Sequence, residues 1–135
     1  MTSDRILVDN NALADLFIGE SGFHADAENL RRKHASWVAP PLIRYEFGNV
    51  LRTYVRVGRK EAKDSLAMLR SGLGMIRFCE EPLEETILLE AHASGLSYYD
   101  ATYVTCARMH GLPLYTRDEE ILKNCPEVAR RISDA

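Results

Sequence analysis

What most limits the folds open to this chain is the way short apolar runs without polar alternation are spaced by longer stretches of helical periodicity. Ile6-Leu7-Val8 is such a run, the pattern of a strand buried on both faces of a parallel sheet. Trp37-Val38-Ala39 before Pro40-Pro41, Met75-Ile76-Arg77-Phe78 after two glycines, and Leu112-Pro113-Leu114-Tyr115 read as further strands. Helical spacing predicts helices over residues 12–18, with Asn11 as N-cap and Gly19 as stop, and over 22–34. A long amphipathic helix is expected over 42–57, where Ile43, Phe47, Val50, Leu51, Tyr54 and Val57 form one stripe and Gly58 closes it. Further helices are expected over 60–70, with Ala62, Leu66 and Leu69 inward, over 83–93, and over 99–110 before Gly111. One short helix follows Asp118, and the tail to Ala135 carries no clear pattern. Strands alternating with helices indicate an α/β fold, a three-layer sandwich around a mostly parallel sheet of four to five strands. At 135 residues the chain is expected to form a single domain over 1–135.

In such a sheet, ligands gather at the carboxyl ends of the strands, and carboxylates stand there. Asp9 ends the first strand, Glu46 lies on the long helix, Asp100 opens the apolar helix, and Asp118 follows the last strand. Each has a structural explanation. Asp9 and Asp118 suit N-caps, and Asp100 after Ser97 has capping-box spacing at the favourable end of a helix dipole. Glu46 is harder to assign to solvent, because it falls roughly 40° from Val50 and 20° from Val57 on the edge of the apolar stripe. Two acids at strand ends and two on apolar helix faces are the arrangement expected if all four converge. Converging carboxylates either hold protons or hold a cation, and an oxygen-only donor set suits Mg²⁺ or Mn²⁺. Such an ion activates water toward a phosphodiester and reverses the local charge.

That reversal matters, because the formal charge is −3 and the pI about 5.8. The whole molecule does not attract polyanions, so any polyanion partner must be met by a local basic patch or a bound cation. Cys79, Cys106 and Cys125 are odd in number and lack CxxC spacing, which argues against a disulfide framework or thiolate zinc site and fits the cytoplasm. The polar residues 1–5 and the three-residue apolar run after them give no secretory core and no membrane span.

The motifs resemble those of the PIN-domain ribonuclease family. Val8-Asp9-Asn10-Asn11-Ala12-Leu13 is similar to its opening strand motif, Ile43 to Leu51 around Glu46 to its glutamate helix, and Leu96 to Tyr103 around Asp100 to its central aspartate helix. Tyr115-Thr116-Arg117-Asp118 with Leu122 is similar to its last motif, and the four occur in family order over residues 6 to about 122. The resemblance implies a Rossmann-like PIN fold, endoribonuclease activity on single strands, and a divalent metal held by Asp9, Glu46, Asp100 and Asp118. The short chain resembles the VapC toxin branch, which implies a homodimer and a cognate antitoxin as partner. Asn11 stands where the family has Ser or Thr; its amide can still orient a water or a carboxylate, and catalytic efficiency is what the change touches.

Arg52 and Arg56, continued by Arg59, Lys60 and Lys63, suit a phosphate-guiding cluster or a solvated helix face equally. Arg117 is better placed for a phosphate. Among Tyr98, Tyr99 and Tyr103, packing in the core or a dimer interface is expected for two, against stacking on bases. The four histidines share no ligand spacing and read as surface or helix-end residues, and Cys106 as buried. An aspartate-based phosphatase starting at Asp9 would want an acid at position 11, where Asn11 stands. A binding module with a PIN scaffold that pairs with an antitoxin and cleaves little is the alternative from another class.

Overall fold

A computed structural model describes residues 4–19 and 22–135, so residues 1–3 of the polar amino terminus lie outside the described residues. The elements run β1 (Arg5–Val8), α1 (Asn10–Ile18), α2 (His24–Lys33), β2 (Ser36–Ala39), α3 (Leu42–Arg56), α4 (Ala62–Gly74), β3 (Ile76–Phe78), α5 (Glu84–Ser94), α6 (Tyr98–His110), β4 (Leu114–Thr116), α7 (Glu119–Asn124) and β5 (Ala129–Arg131), then a 3₁₀ turn over Ile132–Asp134. The sheet order is β3-β2-β1-β4-β5 and every pairing is parallel. The α/β architecture with a parallel central sheet is therefore as the sequence pattern indicated, at the upper end of the expected strand number.

The order fixes where a ligand crevice forms. From β1 the chain steps outward to β2 and β3, then returns to β4 on the other flank, so the direction of winding switches between β2–β1 and β4. Beyond the carboxyl ends of β1 and β4 the connections diverge and leave a gap. Asp9 follows β1 immediately and Asp118 follows β4 by two residues.

The unalternating strand runs behave as their composition requires. Ile6, Leu7, Val8, Trp37, Val38 and Leu114 are buried. Helix α6 crosses this sheet with an unbroken buried stretch, Ala101 to Ala107, between an exposed first turn and an exposed end from Arg108. Burying the side chains of Tyr103 and Val104 stabilises by roughly 2–3 kcal/mol each, the scale for large apolar groups. Gly19 and Gly111 close α1 and α6 in the left-handed conformation.

Four local expectations change. The N-cap of α1 is Asp9 rather than Asn11, because the Asp9 carboxylate takes the first free amides. Helix α4 continues through Gly72 and Gly74 instead of stopping at residue 70. The absence of a side chain at Gly72 is what lets it lie under the Phe47 ring, where a Cβ would stand 2.6 Å from Cε2. Leu66 and Val57 are more than half exposed and Ala62 is exposed too, so none of the three belongs to its predicted inward stripe. The tail forms β5 at the sheet edge, a strand hidden in sequence because two of its three residues are arginines. Among the described residues no helix is long and apolar enough to cross a membrane.

Candidate active site

Asp9 is held at both of its oxygens. Oδ1 accepts from the amides of Asn11 at 3.0 Å and Ala12 at 3.4 Å, and Oδ2 accepts from the Thr116 hydroxyl at 2.5 Å. Thr116 ends β4 and is wholly buried; its Oγ1 also accepts from the Asp118 amide at 3.0 Å. Asp118 Oδ1 in turn caps α7 by accepting from the Ile121 amide at 3.0 Å. One hydroxyl thus ties together the two acids at the switch point. Asp9 is only 5% exposed, and that burial pushes its carboxyl up to about 7 against the three hydrogen bonds, with Asp118 raising it further.

Asp100 sits in the first turn of α6, where its amide donates to the Ser97 hydroxyl at 3.0 Å. Its carboxyl is pushed up to about 6, first by burial, then by Asp118 and Glu46, with Ser97 opposing and Glu120 adding. Glu46 projects from α3 and accepts from the Tyr103 hydroxyl at 2.5 Å. Burial, then Glu46 itself, drive the ionisation of Tyr103 above its ordinary value, so the phenol is a donor at neutral pH. Tyr103 also feels Asp9 and Asp100. The structure therefore brings the four predicted acids into one electrostatic neighbourhood, linked Asp9 to Asp118, Asp118 to Asp100, and Asp100 to Glu46. They form an open neighbourhood rather than a closed cage: among the described residues no three acidic, histidine or cysteine side chains are drawn tightly enough together to enclose a metal ion. Asn11 contributes its amide to Asp9, and its residue lines an adjoining cleft with Asn10, Asp15, Tyr54 and Arg117.

Several residues of this region escaped the sequence reading. Thr116 left one signal, a hydroxyl two residues before an acid at a strand end. Tyr103 appeared only as an aromatic at helical spacing, and nothing in the sequence paired it with Glu46. Asp15 is 5% exposed in the apolar stretch of α1 that follows Asn11 and receives Arg117 in a fork, Nε to Oδ2 at 2.7 Å and Nη2 to Oδ1 at 3.2 Å. The Arg117 guanidinium also lies 4.2 Å from the Phe23 ring centroid. Arg52 and Arg56 are exposed on α3, Tyr98 and Tyr99 are exposed where Tyr103 is buried, and Cys106 is buried.

Residues 6–126 match the model of the PIN domain. Over 78 residues, 58% of this chain and 59% of the relative, the sequence is 36% identical to Exonuclease VapC9 of Pyrobaculum aerophilum, so the match spans about three-fifths of that relative's length. A crystal structure of a protein from Pyrobaculum aerophilum superposes with a TM-score of 0.78 at 28% identity, covering 96% of this chain and 90% of that one. VapC20 of Mycobacterium tuberculosis, described as a sarcin-ricin loop cleaving toxin, superposes with a TM-score of 0.65 at 22% identity over 84% of this chain and 90% of its own. A toxin-antitoxin complex from Klebsiella pneumoniae gives 0.67 at 19% over 94% and 97%. At those last two identities the likeness is one of fold.

Proposed function

This chain belongs to the PIN domain family, whose similar members include VapC nucleases, and from that premise we propose that it is a metal-dependent endoribonuclease, the toxin of a type II toxin-antitoxin pair. In this reading Asp9, Glu46, Asp100 and Asp118 would hold Mg²⁺ or Mn²⁺, with Asn11 beside them. The observation that supports the reading is that Asp9 and Asp118 stand at the switch point, tied by the Thr116 hydroxyl, with Asp118 and Glu46 acting through space on Asp100 and the most buried acid, Asp9, pushed up to about 7. A carboxylate that resists ionisation in this way gains most from a neighbouring cation, and an oxygen-only set fits a hard one. A divalent ion supplies polarisation of the phosphodiester and acidification of water in such a site.

The chain's own groups hold the acids in place. The Asn11 and Ala12 amides and the Thr116 hydroxyl fix the Asp9 carboxylate, and Tyr103 fixes Glu46. Fixed carboxylates lose little freedom when a cation arrives, which is the energetic use of such supporting bonds. Partners in this reading are an RNA strand, a cognate antitoxin and a second copy of the chain, all in the cytoplasm.

The test is cleavage of RNA with Mg²⁺, Mn²⁺ or EDTA by the parent protein beside Asp9→Asn and Asp100→Asn. Metal-dependent cleavage abolished in both variants is expected. Folded protein that cleaves nothing, or cleaves without metal, would leave the binding-module reading. Because the similar protein of Pyrobaculum aerophilum is named an exonuclease, a circular single-stranded RNA belongs in the assay: opening of the circle supports endonucleolytic attack, and an intact circle beside a degraded linear strand supports attack from an end.

A further inference from the structure

Arg117 lies between the two residues that organise the switch point, Thr116 and Asp118, yet the acid centre does not use its side chain. Asp9 and Asp118 act on its guanidinium through space, so it is a fixed cation inside the field of the acids. Its geometry is over-determined on one side. The Nε–Nη2 edge is forked onto the buried Asp15 carboxylate, and the plane lies against Phe23 at 4.2 Å. A fork on one edge together with an aromatic under the face fixes the direction of the remaining nitrogen. Among the described residues Nη1 has no partner, and the side chain keeps 34% of its surface exposed while Asp15 keeps 5%.

Arg117 also stands where two clefts meet. On one side is the cleft lined by Asn10, Asn11 and Tyr54. On the other is a hollow lined by Phe23, Asp26, Glu119, Arg131 and Ser133, in which Arg131 is forked onto the Glu119 carboxylate. We propose that Arg117 is a substrate-binding residue, preorganised by Asp15 and Phe23, whose free edge takes a backbone phosphate of the single strand beside the one attacked, directing that strand from the acid centre into the hollow next to Arg131. The proposal rests on the nuclease reading for its substrate class and names the strand's path, which that reading leaves open.

The test separates charge contact from structural support. Binding of a dye-labelled polyuridylate strand is followed by fluorescence anisotropy in EDTA across a series of KCl concentrations, for the parent protein, Arg117→Gln and Asp15→Asn. One lost phosphate contact lowers the slope of log K against log salt by about 0.7, whereas a variant that only loosens the fold weakens binding without changing the slope. Arg117→Gln is expected to lose that increment, and Asp15→Asn to bind more weakly at the parent slope. Should Arg117→Gln strand the buried Asp15 and fail to fold, the double variant Asp15→Asn/Arg117→Gln carries the same expectation with both charges removed. An unchanged slope in whichever protein carrying Arg117→Gln folds, or no binding by the parent protein at low salt, overturns the assignment. A parent protein that cleaves RNA with Mn²⁺ while the slope stays constant refutes Arg117 alone; a changed slope without metal-dependent cleavage refutes the nuclease reading alone.

Discussion

Replacing Asp9 by Asn should make the metal-free protein more stable at alkaline pH and change it little in acid. The Asp9 carboxyl moves from 3.8 to about 7, chiefly by burial. At about 1.4 kcal/mol per unit, that displacement costs the folded state about 4 kcal/mol once the carboxylate is ionised. A raised carboxyl pKa means that the folded chain holds this proton more tightly than the unfolded one. The penalty is therefore absent below pH 3.8, grows as pH rises from there, and is complete above about pH 7. Asn removes the ionisation but sacrifices part of the hydrogen-bond set. Its Oδ1 still accepts from Asn11 and Ala12, while its amide must find Thr116 Oγ1 as an acceptor, a loss of about 1 kcal/mol. The net gain is about 3 kcal/mol at pH 8, or roughly 10 °C in Tm for a domain of this size, falling to less than about 1 kcal/mol at pH 5. Urea and thermal unfolding of both proteins in EDTA at the two pH values measures the difference. A stability gap between Asp9→Asn and parent that is the same at pH 5 and pH 8 would refute the buried-carboxylate argument.

Three further changes follow from the geometry. Thr116→Val keeps shape but leaves Asp9 Oδ2 and the Asp118 amide unpaired in a buried place, so it should cost about 2–3 kcal/mol in urea unfolding and reduce cleavage; a loss below about 0.5 kcal/mol would show the hydroxyl to be dispensable. Tyr103→Phe retains the buried ring and removes only the donor to Glu46, so stability should fall by about 1 kcal/mol while Mn²⁺ affinity, read by titration calorimetry, weakens roughly tenfold; unchanged affinity would deny the tyrosine a positioning role. Gly72→Ala places a methyl 2.6 Å from Cε2 of the fully buried Phe47, and the clash should outweigh the better helix propensity, lowering stability by about 1–2 kcal/mol in urea; a more stable variant would show that the Phe47 ring yields.

The fold was legible where burial acts on both faces at once. Ile6-Leu7-Val8 and Trp37-Val38-Ala39 carry no alternation because helices cover the sheet on either side, and that single constraint leaves a parallel α/β arrangement as the consistent solution. It was illegible where one face is open. The edge strand β5 hides behind Arg130 and Arg131, whose charges sequence patterning assigns to a loop, although the backbone still pairs with β4. Gly72 misled for a related reason: its value lies in a close approach to Phe47 some two dozen positions away, and helix propensity registers only the local cost.

The site divides along the same line. The four acids stood out only as a set: each alone suits a cap, a first turn or a helix edge, and Asp9 and Asp118 are indeed N-caps, but two at strand ends and two on apolar helix faces make a pattern. What holds them was unreadable because it joins elements across the sheet. Thr116 reaches Asp9 over 107 positions, Tyr103 reaches Glu46 over 57, and Arg117 reaches Asp15 over 102. None of these pairs has a spacing signature, yet all three join β1, α1 or α3 to the later segment that runs from α6 to α7. The same contacts that position the acids are then among the contacts that bring β4 and α6 against β1 and α3. Loosening one of them should therefore move stability and metal affinity together, whereas neutralising Asp9 should raise the first and abolish the second. That opposite response is the mark of an acid centre maintained at the expense of the fold, and a purely structural cluster of N-caps would not produce it.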